Sequence, residues 1–298
     1  MNINIYDVSK KAGVSIATVS RVLNGNTRVS EKTRDKVINA MKELDYTPNV
    51  FARGLGLNTM KTIGIMCIDS SDIYLANAVY YLEQELRKYN YDSILCCTGK
   101  DYNNKKNYLE LLLSKRVDGI ILAGSQFVEN TSKHNNDYII NAAKDVPIVL
   151  VNGYLDADNI YSVMCNDEEA VYNATKLLIN NSHRNIVYLY TSTSYSGMNK
   201  YRGYLKAINE AGITLPDEFH HLCGKNISHA RDYLTYLYDK GMKFDAVMTS
   251  DDSIAAGAVK FAHTHGIRIP EDLEVIGYNN SVLSLCTEPE LTSVDSKV

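Results

Sequence analysis

The stretch IYDVSKKAGVSIATVSRVLNG, residues 5–25, decides the fold of the N-terminal part of the chain. Its apolar spacing predicts two short helices joined by a tight turn at Gly13. Asn4 can cap the first helix and Ser15 the second, because each side chain offers an oxygen to unpaired N–H groups. The pattern indicates a helix-turn-helix, whose second helix enters the major groove of DNA. By spacing alone, it also fits two amphipathic helices packed in any α-rich domain.

The next residues extend the pattern with a third helix and a connection. Ser30 can cap the segment SEKTRDKVINAMKELDY, residues 30–46, which places its apolar residues on one face. The segment TPNVFARGLGLNTM, residues 47–60, follows directly. An all-α domain is therefore predicted for residues 1–46, and a hinge or linker for residues 47–60.

Residues 5–60 resemble the DNA-binding headpiece of the lac repressor–galactose repressor family, and the resemblance continues along the whole chain. It implies a two-lobed domain for residues 61–298, which binds an effector and forms a homodimer. Its fold would be that of a periplasmic sugar-binding protein, with three crossovers between the lobes. The matching segments are YDVSKKAGVSIATVSRVLNG (6–25), VSEKTRDKV (29–37), YTPN (46–49), ARGL (52–55), VDGIILAGS (117–125), KYRGYLKAINEAGI (200–213) and TSDDSIAAGAVKFAHTHGIRIPEDLEVIGYNN (249–280).

The resemblance implies that the second helix reads DNA bases through Ile16, Ala17 and Arg21. Arg21 can make a bidentate contact to guanine, whereas Ile16 and Ala17 offer apolar contact to thymine methyl groups. The alternative for Arg21 is an ordinary surface salt bridge. Polar neighbours on and around this helix are candidates for phosphate contacts that position it. They are Ser15, Thr18, Ser20, Asn24 and Arg28.

In the hinge, Leu55 matches a leucine that the family inserts into the minor groove at the centre of a palindromic operator. Apolar wedges of this kind unstack a base step and kink the duplex. Asn49, Ala52 and Arg53 are the accompanying DNA-binding candidates. Because glycines flank Leu55, we expect the hinge to be disordered without DNA and helical on it. The alternative is a flexible linker that does not touch the groove.

Length and charge fit a DNA-binding module attached to a larger domain. The 298 residues suggest about two domains. Residues 1–60 carry nine Lys/Arg and five Asp/Glu, whereas the rest of the chain carries 22 and 30. A basic head on an acidic body suits a phosphate-binding unit carried by a domain that need not touch DNA.

The sequence points to a cytoplasmic protein with no membrane partner. Its N-terminus lacks the apolar segment of a signal peptide, and no apolar run approaches the roughly 20 residues of a membrane span. The six cysteines show no CxxC spacing and are expected to be thiols. The sequence carries no recognised motif for a metal, a cofactor or catalysis.

From Thr62 onward, short apolar runs alternate with helical segments, which predicts doubly wound parallel α/β sheets. One α/β unit spans residues 62–151, a link lies near residues 159–166, and a second unit spans residues 168–277. Two units of similar size imply two lobes with a cleft between them. Loops after the carboxyl ends of the strands should line this cleft. The family normally continues past residues 290–298, so the fold is expected to be cut short at its C-terminus.

Polar residues in these loops are the candidates for effector binding, carried over one position at a time from the resemblance. Carboxylates and amides suit a polyol because each can hold two neighbouring hydroxyls. Lys200 stands where many members have an arginine, and Asn279 where they usually have aspartate. Asp252 is instead expected to cap a helix that begins at Ser253. The candidates are Asp72, Ile73, Tyr74, Ser125, Asn152, Lys200, Asp251 and Asn279.

The sequence therefore predicts a repressor of carbohydrate-utilisation genes, a homodimer on pseudopalindromic operator DNA. A small sugar or sugar phosphate in the cleft would control it. A catabolite-control regulator that acts with a phosphorylated carrier protein is an alternative, although Glu288 stands where that branch has an arginine. A plain solute-binding protein is a third reading, which the headpiece disfavours. An enzyme built on a Rossmann-like sheet comes last.

Overall fold

The structure is a computed structural model that describes residues 3–25, 27–47, 59–128 and 133–297. The N-terminal part forms the three predicted helices. They are α1 (Ile5–Ala12), α2 (Ile16–Leu23) and α3 (Glu31–Glu43). The hinge candidates Asn49, Ala52, Arg53 and Leu55 lie outside the described residues.

The helix-turn-helix is fixed by its caps and by a small valine core. The Asn4 side chain accepts from the backbone of α1, and the Asp7 side chain accepts from the Asn4 backbone N–H, which completes a capping box. Gly13 adopts the left-handed conformation that the turn requires, with φ of 65°. Val8 and Val19 are fully buried against the third helix. The predicted helix-turn-helix is thus confirmed.

The first lobe is a five-stranded parallel sheet with strand order β2-β1-β3-β4-β5. Helices connect the first four strands in chain order, and a short 3-10 helix (Lys133–Asn136) precedes the third of these helices. A loop without a helix connects the fourth strand to the fifth. The strands are β1 (Thr62–Cys67), β2 (Asp92–Cys97), β3 (Gly119–Ala123), β4 (Ile148–Val151) and β5 (Ile160–Val163); the helices are α4 (Ile73–Lys88), α5 (Tyr102–Ser114) and α6 (Asp137–Ala142).

The second lobe repeats this plan with strand order β10-β9-β8-β6-β7. Hydrophobic clusters cover both faces of its sheet, as expected for buried parallel strands. A 3-10 helix (Asp217–Phe219) precedes the second strand of the lobe. The strands are β6 (Ile186–Tyr190), β7 (His220–Leu222), β8 (Ala246–Thr249), β9 (Glu274–Tyr278) and β10 (Thr292–Val294); the helices are α7 (Asp167–Asn180), α8 (Tyr195–Glu210), α9 (Ile227–Asp239), α10 (Asp252–His265) and α11 (Val282–Leu285).

The structure corrects the predicted link near residues 159–166, which contains strand β5. Along β5, Tyr161 and Val163 are exposed while their neighbours are half-buried. This edge strand therefore lacks the continuous apolar run that predicts a buried strand. Helix α8 begins at Tyr195, because the Ser194 side chain caps it by accepting from the Gly197 N–H.

The prediction that Asp252 caps α10 is wrong. The helix begins at Asp252, and Asp251 is its cap, accepting from the Ser253 backbone N–H at 2.9 Å. Asp252 is buried and accepts from the Ser281 N–H and from the Ser293 hydroxyl, each at 2.6 Å. Asp252 therefore ties α10 to the loop after β9 and to β10.

Asp252→Asn should make the protein more stable at neutral pH. Burial raises the pKa of Asp252, although its bonds to Ser293 and Ser281 act in the opposite direction. A carboxyl whose pKa is raised on folding lowers the free energy of unfolding as pH rises through the folded pKa. Asparagine can accept from Ser281 and donate to Ser293 without the buried charge. Urea denaturation should show a higher free energy of unfolding for the variant than for the wild type at pH 7. This difference should shrink as the pH falls toward 3.8, the ordinary pKa of aspartate.

Asp272→Asn is the matched control, for which we expect the opposite change in the free energy of unfolding at pH 7. Hydrogen bonds from Arg268 lower the pKa of Asp272 to about 2. Its charge therefore stabilises the fold above pH 3.8, and this contribution is lost as pH falls through 2. Asp272→Asn should weaken stability slightly at pH 7. A loss of stability at pH 7 for Asp252→Asn as well would contradict the predicted cost of the buried Asp252 charge.

Candidate functional site

The cleft between the lobes is lined by residues that follow the carboxyl ends of strands, as predicted from the parallel sheets. Ser125 follows β3, Asn152 follows β4, and Cys165 follows β5 in the first lobe. In the second lobe, Lys225 follows β7 and Asn279 follows β9. Helix N-termini and strand ends from both lobes therefore point into one space, where parallel α/β folds bind ligands.

This space is called the inner chamber; about 670 Å³ between its walls is not filled by protein atoms, a volume that includes open solvent. Seven of the eight candidate effector residues lie on its wall. Ile73 does not; it lines a second space, the outer vestibule, together with Asp69 and Ser71. The inner chamber is lined by Asp72, Tyr74, Ser125, Asn152, Cys165, Asp167, Ser192, Ser194, Ser196, Lys200, Lys225, Ser250, Asp251, Tyr278 and Asn279, among others.

Two of these carboxylates each perform two tasks. Asp72 caps α4 by accepting from the Tyr74 and Leu75 N–H groups through Oδ1, at 3.0 and 3.2 Å. Its Oδ2 pairs with the Lys225 ammonium. Asp251 caps α10 through Oδ1, while its Oδ2 accepts from Asn279 at 3.1 Å and lies 3.2 Å from Lys225. Lys225 thus joins a helix cap of the first lobe to a helix cap of the second.

At the back of the chamber, the Lys200 ammonium lies against the Tyr278 ring, and the carboxylates of Asp167 and Asp251 influence its pKa. Its Nζ is 3.7 Å from the centroid of the Tyr278 ring and donates to the Ser250 carbonyl at 3.2 Å. The Tyr278 hydroxyl donates to Asp167 at 2.6 Å. Burial lowers the pKa of Lys200, whereas Asp167 and Asp251 raise it. The net shift is downward, so the buried ammonium is not fully compensated by the protein.

Hydroxyls and amides complete the chamber. The Ser125 hydroxyl donates to the Ser194 hydroxyl at 2.8 Å, which makes a second direct link between the lobes. Asn152 donates to the Tyr74 hydroxyl. Asn152 and Asn279 have φ of 59° and 99°, and asparagine tolerates the left-handed region better than most residues. These groups can hold several hydroxyls of a small polar ligand.

The chamber residues that sequence reasoning missed include Lys225, Asp167 and Cys165. The rule that loops after strands line the cleft would have found Lys225, had the short strand β7 been followed into its loop. Asp167 and Cys165 follow β5, the strand that the predicted link concealed. An adjacency in space, such as that of Asp72 and Lys225, leaves no signal in a single sequence.

The outward face of α2 carries the residues that the sequence predicts to read DNA bases. Ile16 is 39% exposed, and Ala17 and Arg21 are also exposed. Within the described residues, the Arg21 side chain has no hydrogen bond or ion pair, which argues against the salt-bridge alternative. Ser15 caps α2 by accepting from the Thr18 N–H at 3.2 Å. Its hydroxyl also pairs with the Thr18 hydroxyl at 2.9 Å, so any phosphate contact would share these groups.

Two further features bear on function. In the part of the chain that the structure describes, no group of three or more His, Cys, Asp or Glu residues is arranged to hold a metal ion. Among the helices of that same part, none has the length and apolarity that crossing a bilayer requires.

Comparison with known proteins places this architecture in one family. A family model described as "Bacterial regulatory proteins, lacI family" matches residues 4–49. Another, "Periplasmic binding proteins and sugar binding domain of LacI family", matches residues 60–297. A helix-turn-helix head and a two-lobed ligand-binding body together define a ligand-responsive class of DNA-binding protein. The chain belongs to the LacI family of bacterial transcriptional regulators, which are not enzymes.

Individual relatives agree with this assignment. An HTH-type transcriptional regulator of Lachnoclostridium phytofermentans is 56% identical over 295 residues, which cover 99% of this chain and 88% of that relative. Catabolite control protein A of Priestia megaterium is 33% identical over 298 residues. The match covers 99% of this chain and 87% of that relative. The crystal structure of the Lac repressor dimer bound to operator and the anti-inducer ONPF has a TM-score of 0.88 at 24% identity. The match covers 100% of this chain and 88% of that chain, and it shows a shared fold.

Proposed function

We propose that this regulator is a cytoplasmic homodimeric repressor whose affinity for a pseudopalindromic operator is controlled by an uncharged carbohydrate in the inner chamber. The observation that carries the proposal is the chamber itself. It is rich in paired carboxylates, amides and hydroxyls and lies between two lobes on the same chain as a DNA-reading helix. The match to a family model for sugar-binding domains supports the same ligand class.

The charges of the cleft favour an uncharged sugar over a sugar phosphate. The inner chamber and outer vestibule contain four carboxylates and two ammonium groups, so their formal net charge is −2. A phosphate would add about two negative charges to a partly buried space, where repulsion is poorly screened. The hydroxyls of a neutral sugar can instead bond to both oxygens of a carboxylate. The carboxylates are Asp69, Asp72, Asp167 and Asp251, and the ammonium groups are Lys200 and Lys225.

A homodimer is supported by an apolar groove on the first lobe. The groove runs between α4 and β5, and its lining includes Tyr81, Val163 and Met164. These side chains are 58%, 63% and 45% exposed. Contiguous apolar surface of this kind commonly marks a protein interface. A dimer would set two α2 helices in successive major grooves and two hinges, with Leu55, at the centre of the operator.

The arrangement of the two lobes would couple carbohydrate binding in the inner chamber to operator binding by the headpiece. A ligand that binds one arrangement of the lobes better than another shifts the population toward that arrangement. Because the hinge joins the headpiece to the first lobe, a change in lobe arrangement would alter the placement of the two hinges. Operator and carbohydrate would then influence each other's affinity by the same factor.

Selection of binding sites from random DNA, followed by a salt titration, tests the DNA half of the proposal. We expect a pseudopalindromic site preferred over random DNA by about 10³-fold or more at physiological salt. Leu55→Ala should weaken binding to that site far more than binding to random DNA. Equal, strongly salt-dependent binding to every sequence would contradict a sequence-specific repressor.

A thermal-shift screen tests the ligand half. Neutral mono- and disaccharides and their phosphate esters would be compared at equal concentration. A neutral sugar at about 100 times its Kd should stabilise the protein by about 2.7 kcal/mol, and its phosphate ester should stabilise it much less. Asp251→Asn should reduce the shift. A phosphate ester that binds more tightly than its parent sugar would contradict the proposed ligand class.

Control by a phosphorylated carrier protein is the second candidate, because catabolite control protein A is 33% identical over nearly the whole chain. Glu288 is exposed on the second lobe, at the position where that branch is expected to carry an arginine. A negative side chain there would repel a phosphorylated partner. Capture of the phosphorylated carrier by the immobilised regulator would favour this second candidate, and failure to capture it would favour carbohydrate control.

A further inference from the structure

The pair of carboxylates bridged by Lys225 lies at the boundary between the inner chamber and the outer vestibule. Five residues line both spaces, and Lys225 is the only cation among them. The others are Asp72, Tyr74, Asp251 and Asn279. The ammonium spans the cleft here, because Asp72 belongs to the first lobe and Asp251 to the second. A ligand that enters from the vestibule must pass this bridge.

We propose that Lys225 is a gate and a specificity-determining residue for the effector. In the structure its ammonium occupies Asp72 and Asp251, and in this position it closes the vestibule entrance to the inner chamber. A polyol enters when Lys225 swings out, and its hydroxyls replace the ammonium on the two carboxylates. This inference rests on the proposed binding of a carbohydrate in the inner chamber.

The local structure allows Lys225 to move without disturbing its partners. Asp72 and Asp251 each use Oδ1 to cap a helix and Oδ2 to meet Lys225. When the ammonium leaves, both caps therefore remain, and only the outer oxygens are freed. Lys225 lies on the loop between β7 and α9, and its side chain is 39% exposed. A long side chain on a loop can reach vestibule water by rotating about its own bonds.

Ion pairs of Lys225 with Asp72 and Asp251 stabilise the closed position of the gate. Burial lowers the pKa of Lys225, but the carboxylates of Asp251 and Asp72 outweigh burial, and the net shift is upward. The ammonium therefore stays charged at neutral pH, and opening requires competition for the carboxylates rather than loss of a proton. A neutral ligand without hydrogen-bond donors cannot supply this competition, whereas the neighbouring hydroxyls of a polyol can.

A thiol-labelling experiment on the whole 298-residue chain tests the gate without knowledge of the effector. Ser196 is 7% exposed and lines the inner chamber but not the vestibule, so Ser196→Cys places a thiol behind the gate. The neutral reagent iodoacetamide would be used, and alkylation would be followed site by site by peptide mass spectrometry. Cys286 is exposed and lines neither the inner chamber nor the outer vestibule, so it serves as the internal reference.

Lys225→Met should accelerate alkylation of the Ser196→Cys thiol, relative to Cys286, by about tenfold or more, because it removes two charge-assisted hydrogen bonds. Asp72→Asn should act in the same direction, since asparagine keeps the α4 cap but loses the ion pair. Lys225→Arg should restore slow labelling. Lys260→Met, an exposed lysine of the same lobe, is the matched control and should change nothing.

An unchanged relative labelling rate in both Lys225→Met and Asp72→Asn would overturn the gate. Two variants are needed because a misfolded one would also label Cys223, which is buried in the second lobe, and would be recognised by that signal. The experiment contains no DNA and no sugar. Its failure would leave carbohydrate control of operator binding standing, whereas fast labelling in the variants together with sugar-insensitive operator binding would refute the proposed function alone.

Discussion

Arg21→Ala should remove most of the preference of this regulator for its operator. The guanidinium is exposed on the outward face of α2 and has no partner within the described residues. A bidentate contact between arginine and guanine contributes about 1–3 kcal/mol of discrimination. A dimer uses the contact in both half-sites, so the two losses add to about 2–6 kcal/mol. Fluorescence anisotropy with the selected operator and with random DNA of equal length would measure the change.

Lys36→Ala is the matched control for charge. Lys36 lies exposed on α3, outside the predicted reading surface. Its removal should weaken binding to operator and random DNA about equally, because it removes the same positive charge without a base contact. An Arg21→Ala protein that loses affinity for both DNAs equally would show that Arg21 contacts only phosphates or none of the DNA.

Gly203→Ala should strongly destabilise the second lobe. A Cβ at position 203 would lie 2.1 Å from the Glu168 carbonyl oxygen and 2.9 Å from the Tyr172 backbone nitrogen. Both atoms belong to the backbone of α7, so neither can rotate away. Alanine favours a helix by about 1 kcal/mol over glycine, but overpacking against backbone should exceed this gain. We expect a net loss of about 2–3 kcal/mol in the free energy of unfolding, measured by urea denaturation.

Gly203→Ala should also affect the site, since Lys200 lies one turn earlier on α8. Forcing α7 and α8 apart would move the Lys200 ammonium relative to Tyr278 and Asp167. Asn209→Ala, at an exposed position of the same helix, is the control and should leave stability unchanged or slightly higher. Stability of Gly203→Ala equal to that of the wild type would mean that the close approach of α7 and α8 is not rigid.

The amino-acid pattern predicts the elements of this fold well where apolar runs are continuous. Strands such as β1 and β8 are buried on both faces and read directly as apolar runs. Strand β5 does not, because it lies at a sheet edge and alternates in exposure. The cap of α10 also could not be assigned from sequence, because Asp251 and Asp252 are equally able to cap. Only the fold shows that Asp252 is needed to hold the loop after β9.

Part of the chamber could be predicted from the sequence, because it lies in the loops that follow recognisable strands. The loops after the predicted strands contain Ser125, Asn152 and Asn279, and all three line the chamber. The ion pair between Asp72 and Lys225 joins residues 153 positions apart on different lobes. No local pattern encodes such a contact, because the approach of the two lobes determines it. The hinge candidates, including Leu55, remain predictions.

The most direct test of carbohydrate control is a single titration of operator affinity. Wild-type protein and Lys200→Met would be measured on the selected operator, with the neutral carbohydrate that gives the largest thermal shift. We expect a change of at least about fivefold in the operator Kd of the wild type, corresponding to a coupling free energy of about 1 kcal/mol or more. The Lys200→Met variant should bind the operator as tightly as the wild type does, and the carbohydrate should not change its operator Kd. An operator Kd unaffected by every carbohydrate that binds, or a response that survives unchanged in Lys200→Met, would contradict carbohydrate control.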